Sequence, residues 1–101
     1  MNPLSKIRKE IEKIDTKIIA LIKERLQMSE EVAKHKIQQG MKIFDEFREK
    51  KLHEMYEKTA KALGIPENLI KNIFDMIFSE SKKTQKQSKL KAGTKKKTAK
   101  K

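Results

Sequence analysis

Residues 4–38 read LSKIRKEIEKIDTKIIALIKERLQMSEEVAKHKIQ and contain no glycine or proline. Their apolar side chains recur in alternating steps of three and four, which predicts one long amphipathic helix with a coiled-coil-like seam. The seam residues are Leu4, Ile7, Ile11, Ile14, Ile18, Leu21, Met28 and Val32. Such a helix spans roughly 50 Å, which is longer than a domain of this size needs for itself. We therefore expect this helix to pack against another chain.

A second helix is predicted after a short break. Gly40 interrupts the pattern, and residues 38–44 are expected to form a loop. Asp45 is a suitable N-cap for a helix that runs to about Leu63, and Gly64 fits the position just after its C-cap. The residues expected to be buried in this helix include Phe44, Phe47, Met55 and Leu63.

The third predicted helix has Pro66 in its first turn and fades near Gln87. Its apolar stripe comprises Leu69, Ile70, Ile73, Phe74, Ile77 and Phe78. Residues 1–88 are thus expected to form one all-α domain with a long first helix and two shorter ones. Residues 89–101 contain seven lysines and are expected to be a disordered tail.

The charge of the chain is concentrated at its C-terminus. The formal net charge is +12, yet ten lysines and no acidic residue follow from Ser81 onward, which leaves residues 1–80 at about +2. The helical body is therefore nearly balanced and presents no basic face. A basic tail alone is weak evidence of function.

Length and composition exclude several classes of protein. The 101 residues leave room for one domain with a thin core, which again favours a partner chain. The absence of cysteine excludes disulfides and thiolate chemistry. No apolar run approaches a membrane span, and the N-terminus lacks the apolar stretch of a secretory signal. A cytoplasmic protein without membrane association is the expectation.

Polar residues continue the buried face of each predicted helix. They are Arg25 and Lys36 in the first helix, Arg48 and Glu49 in the second, and Ser81 and Gln85 in the third. Taken singly, each pair has an ordinary explanation: a snorkelling arginine, a surface ion pair or a fraying helix end. Taken together, three such faces predict a polar pocket inside a helical core. Its basic side chains imply an anionic ligand, because unpaired buried cations are costly.

An ordered set of residues along these helices matches a known pattern. It comprises Ile7-Arg8, Ile14-Asp15, Glu24-Arg25, Val32-Ala33, Lys36, Gly40, Ile43, Asp45, Arg48-Glu49, Ser81 and Gln85. With these residues the chain resembles the all-helical chorismate mutases over roughly residues 4–88. The loop at residues 40–43 departs from the family, in which proline is common there. The Lys-rich tail lies outside the resemblance.

The resemblance implies an intertwined homodimer with paired first helices and two active sites. Each site would take one arginine, Arg8, from the other chain. Helical geometry agrees, because Arg8 and Arg25 are seventeen residues apart in sequence. That separation corresponds to roughly 25 Å along one helix. The two guanidinium groups could not readily hold one small ligand from the same straight helix.

The resemblance also implies three tasks for the site: holding the two carboxylates of the dianion chorismate, facing the ether oxygen of the breaking bond, and holding the ring hydroxyl. By this resemblance, the carboxylates would be held by Arg25, Arg48, Ser81 and the partner's Arg8. The ether oxygen would be faced by Lys36 and Gln85. The ring hydroxyl would be held by Glu49 and the backbone at Asp45. The implied product is prephenate, on the way to phenylalanine and tyrosine. No cofactor or metal is implied, and His35 and His53 are expected to be surface residues.

Three other interpretations remain open at the level of sequence. An isochorismate-pyruvate lyase shares the fold and the class of substrate. A basic helical protein that binds nucleic acid would account for the tail, but not for Arg25, Ser81 and Gln85 within apolar stripes. A plain dimeric coiled coil would have no pocket.

Overall fold

The computed structural model describes the backbone of residues 2–42 and 45–99, and side chains as far as residue 86. Three helices follow one another: α1 (Pro3–Gln38), α2 (Glu46–Ala62) and α3 (Glu67–Ala99). The described ranges contain no strand. The predicted all-α class and the three helices are confirmed. None of the helices in the described ranges is both long and apolar enough to cross a membrane.

Local hydrogen bonds explain where α1 begins and ends. Asn2 is the N-cap, and its side chain accepts a hydrogen bond of 3.0 Å from the backbone N–H of Leu4. At the other end Gly40 adopts a positive φ of 67°. The N–H of Met41 then reaches back 2.7 Å to the carbonyl of Lys36, which is the Schellman pattern of a helix end. Lys36 is thereby fixed in the last turn of α1.

The ends of α2 follow the predicted signals closely. The Asp45 carboxylate caps the N-terminus by accepting the N–H of Arg48 at 3.1 Å. Gly64, with φ of 70°, ends the helix, and the N–H of Ile65 bonds to the carbonyl of Ala60 at 2.8 Å. Pro66 precedes α3 rather than lying inside it.

The two C-terminal helices form an antiparallel hairpin. Glu49, near the start of α2, pairs with Lys82, whereas Tyr56, farther along α2, stacks on Phe74 with ring centroids 4.4 Å apart. α3 also packs against α1, and α1 and α2 make no direct backbone approach within the described ranges. α3 is therefore the central element, and the small core lies along it. Its buried members are Ala33, Ala60, Phe78 and Ser81.

Most of the apolar surface lies outside this core. All eight seam residues of α1 keep 47–62% of their surface exposed in the single chain. Phe47, Met55 and Leu63 are also exposed, so the prediction that they are buried is wrong for the chain alone. In the described part of the chain, no second layer of helix covers these faces. Phe44 lies outside the described residues.

The overall dimensions also indicate an open arrangement. The radius of gyration is 18.5 Å and the chain extends 66 × 32 × 16 Å. A compact domain of about 100 residues has a radius of gyration of about 13 Å. The chain is thus an elongated layer little more than one helix thick in its shortest dimension.

The third helix is longer than the sequence predicts. Instead of fading near Gln87, α3 continues to Ala99, so residues 89–99 are helical where disorder is expected from composition. Lysine, leucine and alanine, which make up most of this stretch, are good helix formers, whereas Gly93 costs about 1 kcal/mol relative to alanine. The domain boundary placed at residue 88 stays a prediction, and residues 100–101 lie outside the described ranges.

Candidate active site

A cavity of about 260 Å³ lies where the three helices meet. Its lining residues are Arg25, Met28, Ser29, Val32, Lys36, Asp45, Arg48, Glu49, Leu52, Phe78, Ser81, Lys82 and Gln85. Each helix therefore contributes both polar and apolar side chains to the lining, and α2 also contributes its N-cap, Asp45. The volume is close to the lower end of pockets that bind small molecules, about 300 Å³.

Arg25 is the polar residue that α1 turns most clearly toward the interior. Its guanidinium donates a hydrogen bond of 3.3 Å to the Ser81 hydroxyl, and its Cζ lies 5.2 Å from the centre of the Phe78 ring. The side chain is half-buried. Cation–π contact on one side and a hydrogen bond on the other hold it in the cavity wall, not in bulk solvent.

Ser81 is the most enclosed polar residue of the site, with 7% of its surface exposed. Its oxygen accepts from Arg25 and also from the Ser29 hydroxyl, at 3.1 Å. With both lone pairs occupied, the Ser81 hydroxyl keeps its own proton for an acceptor in the cavity. Gln85 lies one turn further along α3 on the same face.

The N-terminal turn of α2 forms the opposite wall. Asp45 is held in place as the N-cap, and Arg48 and Glu49 follow it at i+3 and i+4 on the same side. The Glu49 carboxylate is paired across to α3, where the Lys82 ammonium lies 3.1 Å from its Oε2. The helix end thus presents one cation and one oriented carboxylate to the cavity.

The wall of the cavity carries a net positive charge. Its ionisable residues are the basic Arg25, Lys36, Arg48 and Lys82 and the acidic Asp45 and Glu49, a balance of +2. A small dianion would neutralise this charge, and arginine offers carboxylates two parallel hydrogen bonds. The arrangement is therefore suited to a doubly negative ligand that also carries hydrogen-bonding groups.

The structure brings together seven of the eight residues predicted for the site, all except Arg8. Arg8 is exposed near the start of α1, far along the helix from Arg25. It does not line the cavity of its own chain.

Two polar residues of the cavity were missed by sequence reasoning. Lys82 belongs to a run of lysines and looks like part of the basic tail, although its place beside Ser81 could have identified it. Ser29 lies one turn after Arg25 on the same face of α1. Both reach the site through contacts between different helices, which single-helix periodicity does not reveal.

His53 is also placed differently from the expectation of a surface residue. It is half-buried between α2 and α3, where its Nε2 lies 2.9 Å from Asp75 and its ring packs edge-on against Phe78 at 5.0 Å. His35 is exposed, as expected. Within the described ranges, no group of three His, Cys, Asp or Glu side chains could hold a metal ion.

Fold and site together define an all-helical protein with a net-positive cavity between three helices. Comparison with known families gives the particular one. The model of the family chorismate mutase type II matches residues 7–86. The chain belongs to this family of isomerases, and the resemblance found in the sequence is confirmed.

Individual relatives agree with this assignment. The chain is 39% identical over 84 residues to a chorismate mutase of Methanocaldococcus jannaschii, covering 83% of this chain and 85% of that protein. It is 33% identical over 84 residues to a bifunctional chorismate mutase/prephenate dehydratase of Escherichia coli, but spans only 22% of that protein. It is 31% identical over 78 residues to a T-protein of Enterobacter agglomerans, of which it spans 21%. The similarity thus covers nearly the whole of one relative and a fraction of the others.

Proposed function

We propose that this chain rearranges chorismate to prephenate in the cavity between α1, α2 and α3, as a step toward phenylalanine and tyrosine. One observation carries the proposal: in a chain of this family, seven widely spaced residues converge on one cavity whose wall has a net charge of +2. Chorismate is a dianion with two carboxylates, an ether oxygen and a ring hydroxyl. Each of these groups has a chemical counterpart among the seven residues.

The first contribution to the rate is conformational. Arg25 and Arg48, with Arg8 of the partner subunit and the proton of Ser81, would bind both carboxylates of the substrate. That clamp holds the side chain of the substrate over its ring, so that the carbon atoms to be joined are close before the reaction begins. Arg25 is well suited to the task because Phe78 and Ser81 restrict its orientation.

The second contribution is electrostatic. The reaction breaks a C–O bond while a C–C bond forms, and the ether oxygen gains negative charge as its bond lengthens. Lys36, from the C-terminal end of α1, and Gln85, from the middle of α3, would donate to that oxygen. An acceleration of 10⁶-fold requires about 8 kcal/mol, and one such donor typically contributes about 3–4 kcal/mol. Clamp and donors together are therefore of adequate size.

The ring hydroxyl would be held at the N-terminal turn of α2. Glu49 offers a carboxylate oxygen, and the backbone at Asp45 offers a second hydrogen-bonding group beside it. The Asp45 side chain is already engaged as the helix cap, which leaves the backbone for this role. Contacts to the hydroxyl would fix the direction in which the ring enters the cavity.

We further propose an intertwined homodimer in which the first helices pair. The exposed apolar seam of α1 supports a dimer. In the described ranges the buried apolar residues are Ala33, Ala60 and Phe78, which is too small a core for a chain of 101 residues. Arg8 of the partner subunit would add a further cation to the cavity. A partner helix crossing α1 would cover the seam and bring that arginine to the site.

The direct test is an assay of the purified chain with chorismate, with prephenate identified as the product. Catalysed conversion to prephenate is the expected result. Isochorismate is assayed in parallel, and release of pyruvate from it without turnover of chorismate would reassign the chain to the lyase of the same fold. Turnover of neither substrate would overturn the proposal.

A further inference from the structure

Lys82 and Glu49 form an ion pair in the wall of the cavity, and this pair joins α3 to α2. The Lys82 Nζ lies 3.1 Å from the Glu49 Oε2, and the side chains are 42% and 30% exposed. A pair so open to solvent contributes little to folding stability. Its position beside the cavity therefore calls for a functional explanation.

The pair constrains Glu49, one of the two acidic side chains in the wall of the cavity. The Asp45 carboxylate accepts the N–H of Arg48 as a helix cap, whereas Glu49 has Lys82 as its ion-pair partner. Lys82 engages one carboxylate oxygen and leaves Oε1 as an acceptor. Its positive charge also offsets the negative charge of Glu49. Without Lys82 the wall would carry one positive charge fewer for a dianion.

We infer that Lys82 is a positioning residue that orients the Glu49 carboxylate toward the ring hydroxyl of the substrate. The inference rests on the proposed function and adds a residue to the site. Lys82 follows Ser81 directly and precedes Gln85 by three positions on α3. The part of α3 that bears these two site residues therefore also bears the lysine that pairs with Glu49 of α2. Lys82 acts through Glu49 and not by binding the reacting atoms.

The test compares Lys82→Met, Lys82→Arg and the control Lys83→Met, each in the natural background and with Glu49→Gln. Lys83 is the neighbouring lysine, 67% exposed and paired with Glu80 at 3.1 Å, so its replacement removes the same charge outside the cavity. We expect Lys82→Met to lower kcat/KM about tenfold, the effect of one charge-assisted hydrogen bond. Lys82→Arg should keep most of the activity, and Lys83→Met nearly all of it.

One readout separates positioning from simple attraction of the anion. With Glu49→Gln in place, the further loss from Lys82→Met should shrink to about twofold or less, because the two residues act as a unit. Thermal unfolding of each variant checks that the fold is unchanged.

The possible failures are distinguishable. If Lys82→Met matches Lys83→Met, or if its effect is equally large beside Glu49→Gln, Lys82 does not position Glu49 and the inference is overturned while the proposed function stands. A natural chain that does not turn over chorismate would overturn the proposed function and this inference with it.

Discussion

The two halves of α1 show opposite distributions of polarity. From Leu4 to Leu21 the apolar side chains of the seam are exposed, whereas in the second half three polar side chains, those of Arg25, Ser29 and Lys36, are half-buried around a cavity. Both distributions are unfavourable in a chain that acts alone. Under the proposed function each is explained by something outside the single chain: an apolar partner surface for the first half and a dianion for the second. The comparison therefore assigns the first half of the helix to the proposed dimer and the second half to the proposed substrate site.

The largest expected effect concerns the polar half. Lys36→Ala or Arg25→Ala should lower kcat/KM about a thousandfold or more, because each removes a preorganised charge from the cavity. Lys34→Ala is the matched control, since Lys34 is exposed on the same turn of α1 and should be replaceable without loss. Steady-state kinetics measure the effect and circular dichroism checks helicity. Activity close to that of the natural chain in either variant would refute the roles proposed for these residues.

A charge placed in the apolar half should act through assembly. Ile14→Asp puts a carboxylate into the seam, and we expect it to weaken the dimer by about 3 kcal/mol or more and to remove activity. Thr16→Asp adds the same charge on the opposite side of the helix and should leave the dimer intact. Sedimentation at several concentrations measures the association. A dimer unaffected by Ile14→Asp would exclude this seam as the interface.

A shared site predicts complementation between two inactive chains. Arg8→Ala and Arg48→Ala should each be nearly inactive alone. In a mixed dimer, one site collects both lesions and the other none. Random exchange of equal amounts should therefore restore about a quarter of the natural activity. Mixed dimers that are shown to form but stay inactive would contradict the donation of Arg8 by the partner subunit.

The smallest effect is expected at Ser29, whose hydroxyl donates a hydrogen bond to Ser81, a residue proposed to bind the substrate. Ser29→Ala removes one of the two hydrogen bonds that Ser81 accepts, a loss of about 1 kcal/mol or roughly fivefold in kcat/KM. Ser79→Ala, on an exposed position of α3, serves as the control. Kinetics at saturating and low chorismate would detect the change, and an unchanged kcat/KM would remove Ser29 from the site.

The sequence predicted local features better than those that depend on several helices. The ends of α1 and α2 were predictable because Asp45, Gly40 and Gly64 satisfy backbone groups within a few residues. Arg25 stood out because a charge in an apolar stripe requires an explanation. The end of α3 was missed because the apolar stripe stops well before the helix does.

Features that depend on contacts between helices were not predictable in the same way. The pairing of Lys82 with Glu49 and the contact of the half-buried His53 with Asp75 arise from the packing of α2 on α3. A periodic pattern indicates which face of a helix is buried, but not which residue of another helix it meets. The exposure of Phe47 and Leu63 has the same origin, since the pattern marks them as apolar without indicating what covers them.

Gly40, in the turn after α1, has no side chain, yet it bears on the position of Lys36, a residue proposed for catalysis. Because the Met41 amide bonds to the Lys36 carbonyl, the residue that would stabilise the breaking bond is located by a backbone reversal at Gly40. Other residues adopt that left-handed conformation only at a cost of about 1–2 kcal/mol. Space is not the obstacle, since a methyl group there would meet no atom within 4 Å. Replacement of Gly40 would therefore alter the position of the Lys36 ammonium group, and with it the rate, although residue 40 itself would not contact the substrate.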